Sequence, residues 1–185
     1  MKRTFVILLF VLCTMLSFSA VYGQQDDPAA RNRTRERLAA LLEKRGPEIN
    51  VSFTQSQKQP YNYVGMLRTG LVNADSFEIV ISVTIKDTIG FRIYPHYNQG
   101  YLNVDKAKDR IGLMRLLLRL SDRAFLFWGA DETGDIFTGY TFTLESGFPD
   151  EAINIVLRSI ANSDKFIGEL RPFIDGSSAG AVKSP

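Results

Sequence analysis

The chain has 185 residues, with 22 Lys and Arg against 20 Asp and Glu, one His and one Cys, and 45% of its residues are hydrophobic. This is a globular composition, and the near balance of charge gives little electrostatic pull toward nucleic acid. A single cysteine excludes an intramolecular disulfide framework and cysteine-based metal sites.

The first residues, MKRTFVILLFVLCTMLSFSAVYG, combine a basic start at Lys2 and Arg3, an apolar stretch from Phe5 to Leu16 and an exit at Val21-Tyr22-Gly23. This is the pattern of a secretory signal peptide spanning residues 1–23. The apolar run is shorter than the ~20 residues a spanning helix needs. Leu12 precedes Cys13 where lipid attachment calls for a small residue, so no stable membrane anchor is expected after cleavage. The expectation is export to the periplasm or the extracellular space. The cleaved chain has no cysteine and, without Lys2 and Arg3, 20 basic against 20 acidic residues.

Residues 24–30 (QQDDPAA) read as a disordered leader, and a domain is expected over 31–174. The segment RNRTRERLAALLEKR predicts a helix with Leu38, Leu41 and Leu42 inward and a stop at Gly46-Pro47. Arg31, Arg33, Arg35 and Arg37 at its start read as a solvated face. Ile49, Val51 and Phe53, then Tyr61, Tyr63 and Leu67, alternate with polar residues as strands do. The alternation is plainest at Phe77, Ile79, Ile81, Val83 and Ile85, and it returns at Ile89, Phe91 and Ile93, predicting a hairpin across Lys86-Asp87-Thr88.

YPHYNQGY, from Tyr94 to Tyr101, reads as a loop because Pro95, Asn98 and Gly100 break the alternation. Tyrosine offers contact area at little rotamer cost. Tyr94, His96, Tyr97 and Tyr101, with Trp128, are therefore the candidate binding residues, the alternative being a loop whose rings pack on the end of the sheet. A helix is predicted over Asp105–Ser121, with Val104, Ala107, Ile111, Met114, Leu117 and Leu118 as its buried stripe. Leu113, Leu116 and Leu120 widen that face, so the helix is covered on two sides, by its own domain or by a second copy.

Phe125 to Trp128 and Ile136 to Leu144 read as strands joined by GADETGD, the second with Ile136, Tyr140, Phe142 and Leu144 on one face. The acids Asp131, Glu132 and Asp135 lack the spacing and the distal glutamate of a calcium loop, so a hairpin turn at Gly134 is the better reading. Pro149-Asp150-Glu151 opens the last helix. Ile153, Val156, Leu157, Ile160, Ile167 and Leu170 form its buried face, Asp164 caps a continuing turn, and Pro172 ends it. Residues 175–185 read as a disordered tail. The expected fold class is α+β, a two-layer antiparallel sheet covered by helices in the order α-β-β-β-α-β-β-α.

The stretch LLLRLSDRAFLFWGADETGDIFTGYTFTLESGFPDEAINIVLRSIANSDKFIGEL resembles the YbjN-domain family of bacterial proteins and, in fold, the class I type III secretion chaperones. The points of resemblance are the helix end from Leu116 to Ser121 entering a strand, the acidic glycine-containing turn, the aromatic strand around Tyr140 and the Pro149-Asp150-Glu151 helix start. They cover the last two thirds of the chain. The resemblance implies a two-layer α+β domain, often dimeric, that binds protein segments without catalysis.

No HExxH or glycine-rich phosphate loop occurs, so no cofactor is expected. The leading expectation is an exported, non-enzymatic binding or chaperone-like domain holding a protein partner or a second copy of itself. A carrier of an apolar small molecule is the alternative, and an enzyme built on carboxylates and His96 is a third.

Overall fold

The computed structural model describes residues 27–84, 88–144 and 147–176. The expected signal peptide, Lys86 and Asp87 of the hairpin turn, and nearly all of the expected tail lie outside the described residues. The elements are α1 (Pro28–Arg45), β1 (Phe53–Gln55), β2 (Asn62–Leu67), β3 (Ser76–Val83), β4 (Ile89–Tyr97), β5 (Gly100–Tyr101), α2 (Arg110–Arg123), β6 (Phe127–Ala130), β7 (Ile136–Phe142), α3 (Asp150–Ser159) and α4 (Asp164–Asp175). Short 3-10 turns follow α1 and α3. The class is α+β, with one antiparallel sheet in the order β1-β2-β3-β4-β7-β6 and β5 paired to β4.

The period-2 pattern fixes the layers. The β3–β4 register sets Val83 opposite Ile89, Ile81 opposite Phe91 and Ile79 opposite Ile93, so these apolar side chains share one face. That face is fully buried, together with Leu38 and Leu42 of α1, Leu113, Leu117 and Leu120 of α2, and Ile153, Val156, Ile167 and Leu170 of α3 and α4. The opposite face, carrying Val64, Met66, Glu78, Val80, Ser82 and Arg92, stays half-buried or exposed and is the outer side of a two-layer molecule.

Several expectations need correction. α1 starts at Pro28, inside the expected leader, because the Asp27 carboxylate caps it by accepting from Ala29 and Ala30 N–H at 3.0 and 3.1 Å. Arg31 is not solvated. Its Nε and Nη2 both donate to the Val83 carbonyl, at 3.0 and 2.8 Å, and the guanidinium lies 3.6 Å from the centre of the Tyr61 ring, so α1 is tied to the end of the sheet.

The segment from Tyr94 to Tyr101 is a hairpin and not a loop. β4 runs to Tyr97, Asn98 and Gln99 turn the chain with φ of 52° and 64°, and β5 returns. Pro95 is tolerated in β4 because its carbonyl, which accepts from Leu102 N–H, points away from β3. Its missing N–H would point the same way, into the gap between the stretches of β4 that pair with β7 and with β5.

α2 begins at Arg110, where Asp109 accepts from Gly112 N–H at 2.8 Å, five residues later than expected. Its buried stripe is Leu113, Leu117 and Leu120, whereas Ile111, Met114 and Leu118 of the expected stripe are exposed. α4 runs through Pro172 to Asp175, and Gly176 closes it in the left-handed region with φ 68°. The Phe173 and Ile174 carbonyls accept from Asp109 and Lys108 N–H, so the end of α4 is satisfied by the approach to α2.

Candidate functional site

Two surfaces bring sequence-predicted residues together. The first is the outer face of the sheet. Alternation along β4 puts Arg92, Tyr94 and His96 there, and pairing sets Glu78 opposite Tyr94 and Tyr101 opposite His96. Neighbouring rings form a continuous row, Phe127 to Phe137 to Tyr94 to Tyr101 at 5.8 Å per step, and then to His96 at 4.4 Å.

The Tyr101 hydroxyl donates to Glu78 Oε2 at 2.7 Å. Burial and this bond push the Tyr101 phenol up to about 12. Burial also raises the Tyr94 phenol. His96 Nε2 lies 3.8 Å from Glu78 Oε2, and it is buried without a hydrogen-bond partner. Most of these rings meet edge to face, each consuming part of its neighbour's surface, and the carboxylate is already engaged by Tyr101. The cluster therefore offers a contact surface and shows no activated nucleophile.

Tyr97 does not join it. Its side chain lies on the inner side of the sheet, where the hydroxyl donates to Asp175 at 2.9 Å and Arg171 covers the ring at 4.6 Å.

The second surface is a groove between α2 and β6, one of the two edge strands of the sheet. Helical spacing turns Leu113, Leu117 and Leu120 into the core and leaves Ile111, Met114 and Leu118 on a line 67%, 54% and 73% exposed. A cavity of about 360 Å³ lies beside that line, walled by Met114, Leu117 and Leu118 on the helix and by Trp128, Gly129 and Ala130 on the strand. Val104, Gly134 and the acids Asp105, Asp131 and Glu132 complete its lining.

Trp128 itself is 4% exposed, its ring edge-to-face with Phe166 at 6.0 Å. Its main chain faces the free edge but is capped by Ser121 of α2. The Ser121 hydroxyl accepts from Trp128 N–H at 2.8 Å and donates to the Trp128 carbonyl at 2.9 Å, so the middle of this edge is already paired.

The acidic end is built by turn chemistry. Asp131 Oδ1 accepts from the Thr133 N–H, the Thr133 hydroxyl and the Asp135 N–H at 2.9, 2.7 and 3.0 Å, around Gly134 at φ 79°. Burial pushes the Asp131 carboxyl up, but these bonds outweigh it and hold its pKa below the ordinary value. Among the described residues, Asp105, Asp131 and Glu132 have no Lys or Arg within ion-pair distance. Among the same residues no group of three or more His, Cys, Asp or Glu is placed to hold a metal ion, and no helix is long and apolar enough to cross a membrane.

Sequence reasoning brought Trp128 to notice but missed Ile111, Met114 and Leu118 as surface residues. The available signal was the surplus of leucines in α2, too many for one buried stripe. No family model matches the chain, and no curated protein matches it. A solved structure described as the ExsC-ExsE complex is similar to it in general layout, at 14% identity and a TM-score of 0.45, over 77% of this chain and 98% of that one.

Proposed function

We propose that the chain is an exported, non-catalytic domain that holds a protein partner, and that the α2–β6 groove is the surface it uses. The observation that carries this reading is the line of Ile111, Met114 and Leu118, three apolar side chains more than half exposed, of which Met114 and Leu118 wall a cavity of about 360 Å³. Isolated exposed apolar residues need no explanation, whereas a contiguous set beside a concavity is how soluble proteins present an interaction site. The aromatic row of Tyr94, His96 and Tyr101 is proposed as an accessory contact, supported by its place on a sheet face that no described helix covers. Membership of the YbjN-domain family is part of the same proposal and rests on the sequence resemblance.

The apolar-carrier alternative fits less well, because the space between sheet and helices is filled by side chains with no solvent exposure, such as Phe77, Ile79, Leu113 and Ile153.

The test is affinity capture from the exported fraction of the protein's own host, with the wild-type chain and Leu118→Asp side by side. The wild type should retain a partner that the variant loses, with superimposable circular dichroism melts. Equal retention removes the groove from the proposal, and loss confined to Tyr101→Ala moves the site to the sheet face.

A further inference from the structure

Resting on the groove as the partner-binding surface, we propose that its occupant is a short amphipathic helix of another protein, carrying basic residues on the flank that lies toward β6, at the end that meets the Asp131 turn. Three observations converge on that chemistry.

The first is the shape and lining of the groove. One wall is a helix displaying aliphatic side chains at i, i+3 and i+7, about 10 Å from end to end at 1.5 Å per residue. The other wall is narrow, with Gly129 and Ala130 adding almost no side chain. A ridge of three- and four-spaced apolar residues on a second helix fits between such walls.

The second observation concerns the competing mode. Strand addition to β6 needs free N–H and C=O groups along its edge, and those of Trp128, in the middle of the strand, are both taken by Ser121. An incoming strand must displace that hydroxyl before it gains its central pair of bonds. An incoming helix has its own main chain satisfied and needs nothing from the edge.

The third observation is charge. Asp105, Asp131 and Glu132 stand at one end of the groove with no cation within ion-pair distance among the described residues, and the Asp131 carboxyl is held in its charged form by the turn around it. Arg110 of α2 donates to the Asp105 main-chain carbonyl and not to a carboxylate, and Arg123 is paired with Glu169. Arg92, which lines a neighbouring cavity with Asp131 and Glu132, lies beyond ion-pair distance of them. Helical spacing puts Arg115 and Arg119 on the flank of the Met114–Leu118 line away from Leu117, hence away from the strand. A partner with lysine or arginine on its β6-facing flank completes the pairing, and an acidic one meets like charge.

The test uses two synthetic peptides of about 15 residues with the same leucines at three-four spacing, one with Lys and the other with Glu on the same flank. Each is titrated into the folded chain by fluorescence anisotropy, and the Lys peptide should bind at least about ten-fold tighter at low salt, the preference shrinking in ~0.5 M salt. In Asp105→Lys with Glu132→Lys, both exposed positions, the preference should invert. Leu118→Asp should abolish binding of both peptides while the thermal melt is kept.

Equal affinities, or a preference that survives the double variant, overturn the basic-helix proposal while leaving the groove in place. Absence of binding by either peptide, or binding indifferent to Leu118→Asp, overturns both. Self-association of the wild type that Leu118→Asp abolishes in sedimentation assigns the groove to a second copy and overturns the basic-helix partner.

Discussion

Asp164 is a carboxylate with 6% exposure, and its oxygens accept from Val72 N–H, Ala74 N–H and the Asn73 main-chain and side-chain N–H groups at 2.8 to 3.2 Å. Three successive amides converge on one anion, pinning the turn between β2 and β3 to the start of α4. Asp164→Asn replaces one acceptor oxygen with a donor facing other donors. The expected loss is about 3 kcal/mol in urea unfolding, with an unchanged dependence on denaturant. The sequence suggested a helix cap here, because an aspartate after a break in helical spacing usually serves its own helix. Its true partners lie about ninety residues upstream, where no local pattern points.

Tyr101 sets an alkaline limit. Its phenol is raised from 10.0 to about 12 by burial and by the bond to Glu78, so the folded state favours the protonated form. The contribution is whole below the unfolded value near 10 and is lost as pH rises toward the folded value, which places the window between about pH 10 and 12. Denaturant unfolding across that window should fall less steeply with pH in Tyr101→Phe than in the wild type. Parallel curves refute the assignment.

At the scale of elements, α2 shows how packing overrides propensity. Gly112 lies in its first turn, where alanine is worth about 1 kcal/mol more in an exposed helix. A Cβ there would lie 2.3 Å from the Asp109 carboxylate that caps the helix and 2.6 Å from the Phe173 ring of α4. Overpacking and loss of the cap together exceed the propensity gain, so Gly112→Ala should destabilise by about 2 kcal/mol, read from the shift of the unfolding midpoint. Ser121→Ala tests the covered edge. The Trp128 N–H and carbonyl lose their partner, so a loss of about 1 to 2 kcal/mol and faster aggregation by light scattering are expected.

The strands were legible because period 2 leaves one phase for Phe77, Ile79, Ile81 and Val83, and the observed register keeps it. The phase of α2 was not, because seven of its residues are Ile, Leu or Met and nearly any stripe drawn through them is apolar. What decides is tertiary: the first turn docks on Phe173 and the last on the edge of β6. Of the candidate site, Tyr94, His96 and Tyr101 do meet, but as faces of a hairpin whose proline interrupts the alternation in the sequence without interrupting the strand.

On the scale of the whole molecule, one core joins all four helices to one side of the sheet, and every element of the last third contributes to it. The proposed export has a simple check at this scale. The mature chain recovered from the exported fraction should begin at Gln24, read by intact mass, and retention of residues 1–23 in that fraction contradicts the signal-peptide reading. The balance of 20 basic and 20 acidic residues that the proposed cleavage would leave makes any charge-driven selectivity a local matter, set by how acids and arginines are distributed around the groove.

The chain has a single tryptophan, and Trp128 sits where β6, α2 and Phe166 of α4 converge. Excitation near 295 nm thus addresses one indole, shielded from water in the native state and wet after unfolding. Its emission maximum reports global stability without an introduced label. Because the same residue helps to wall the cavity beside Met114 and Leu118, changes in its quantum yield or quencher access report occupancy of that cavity from within the unmodified chain.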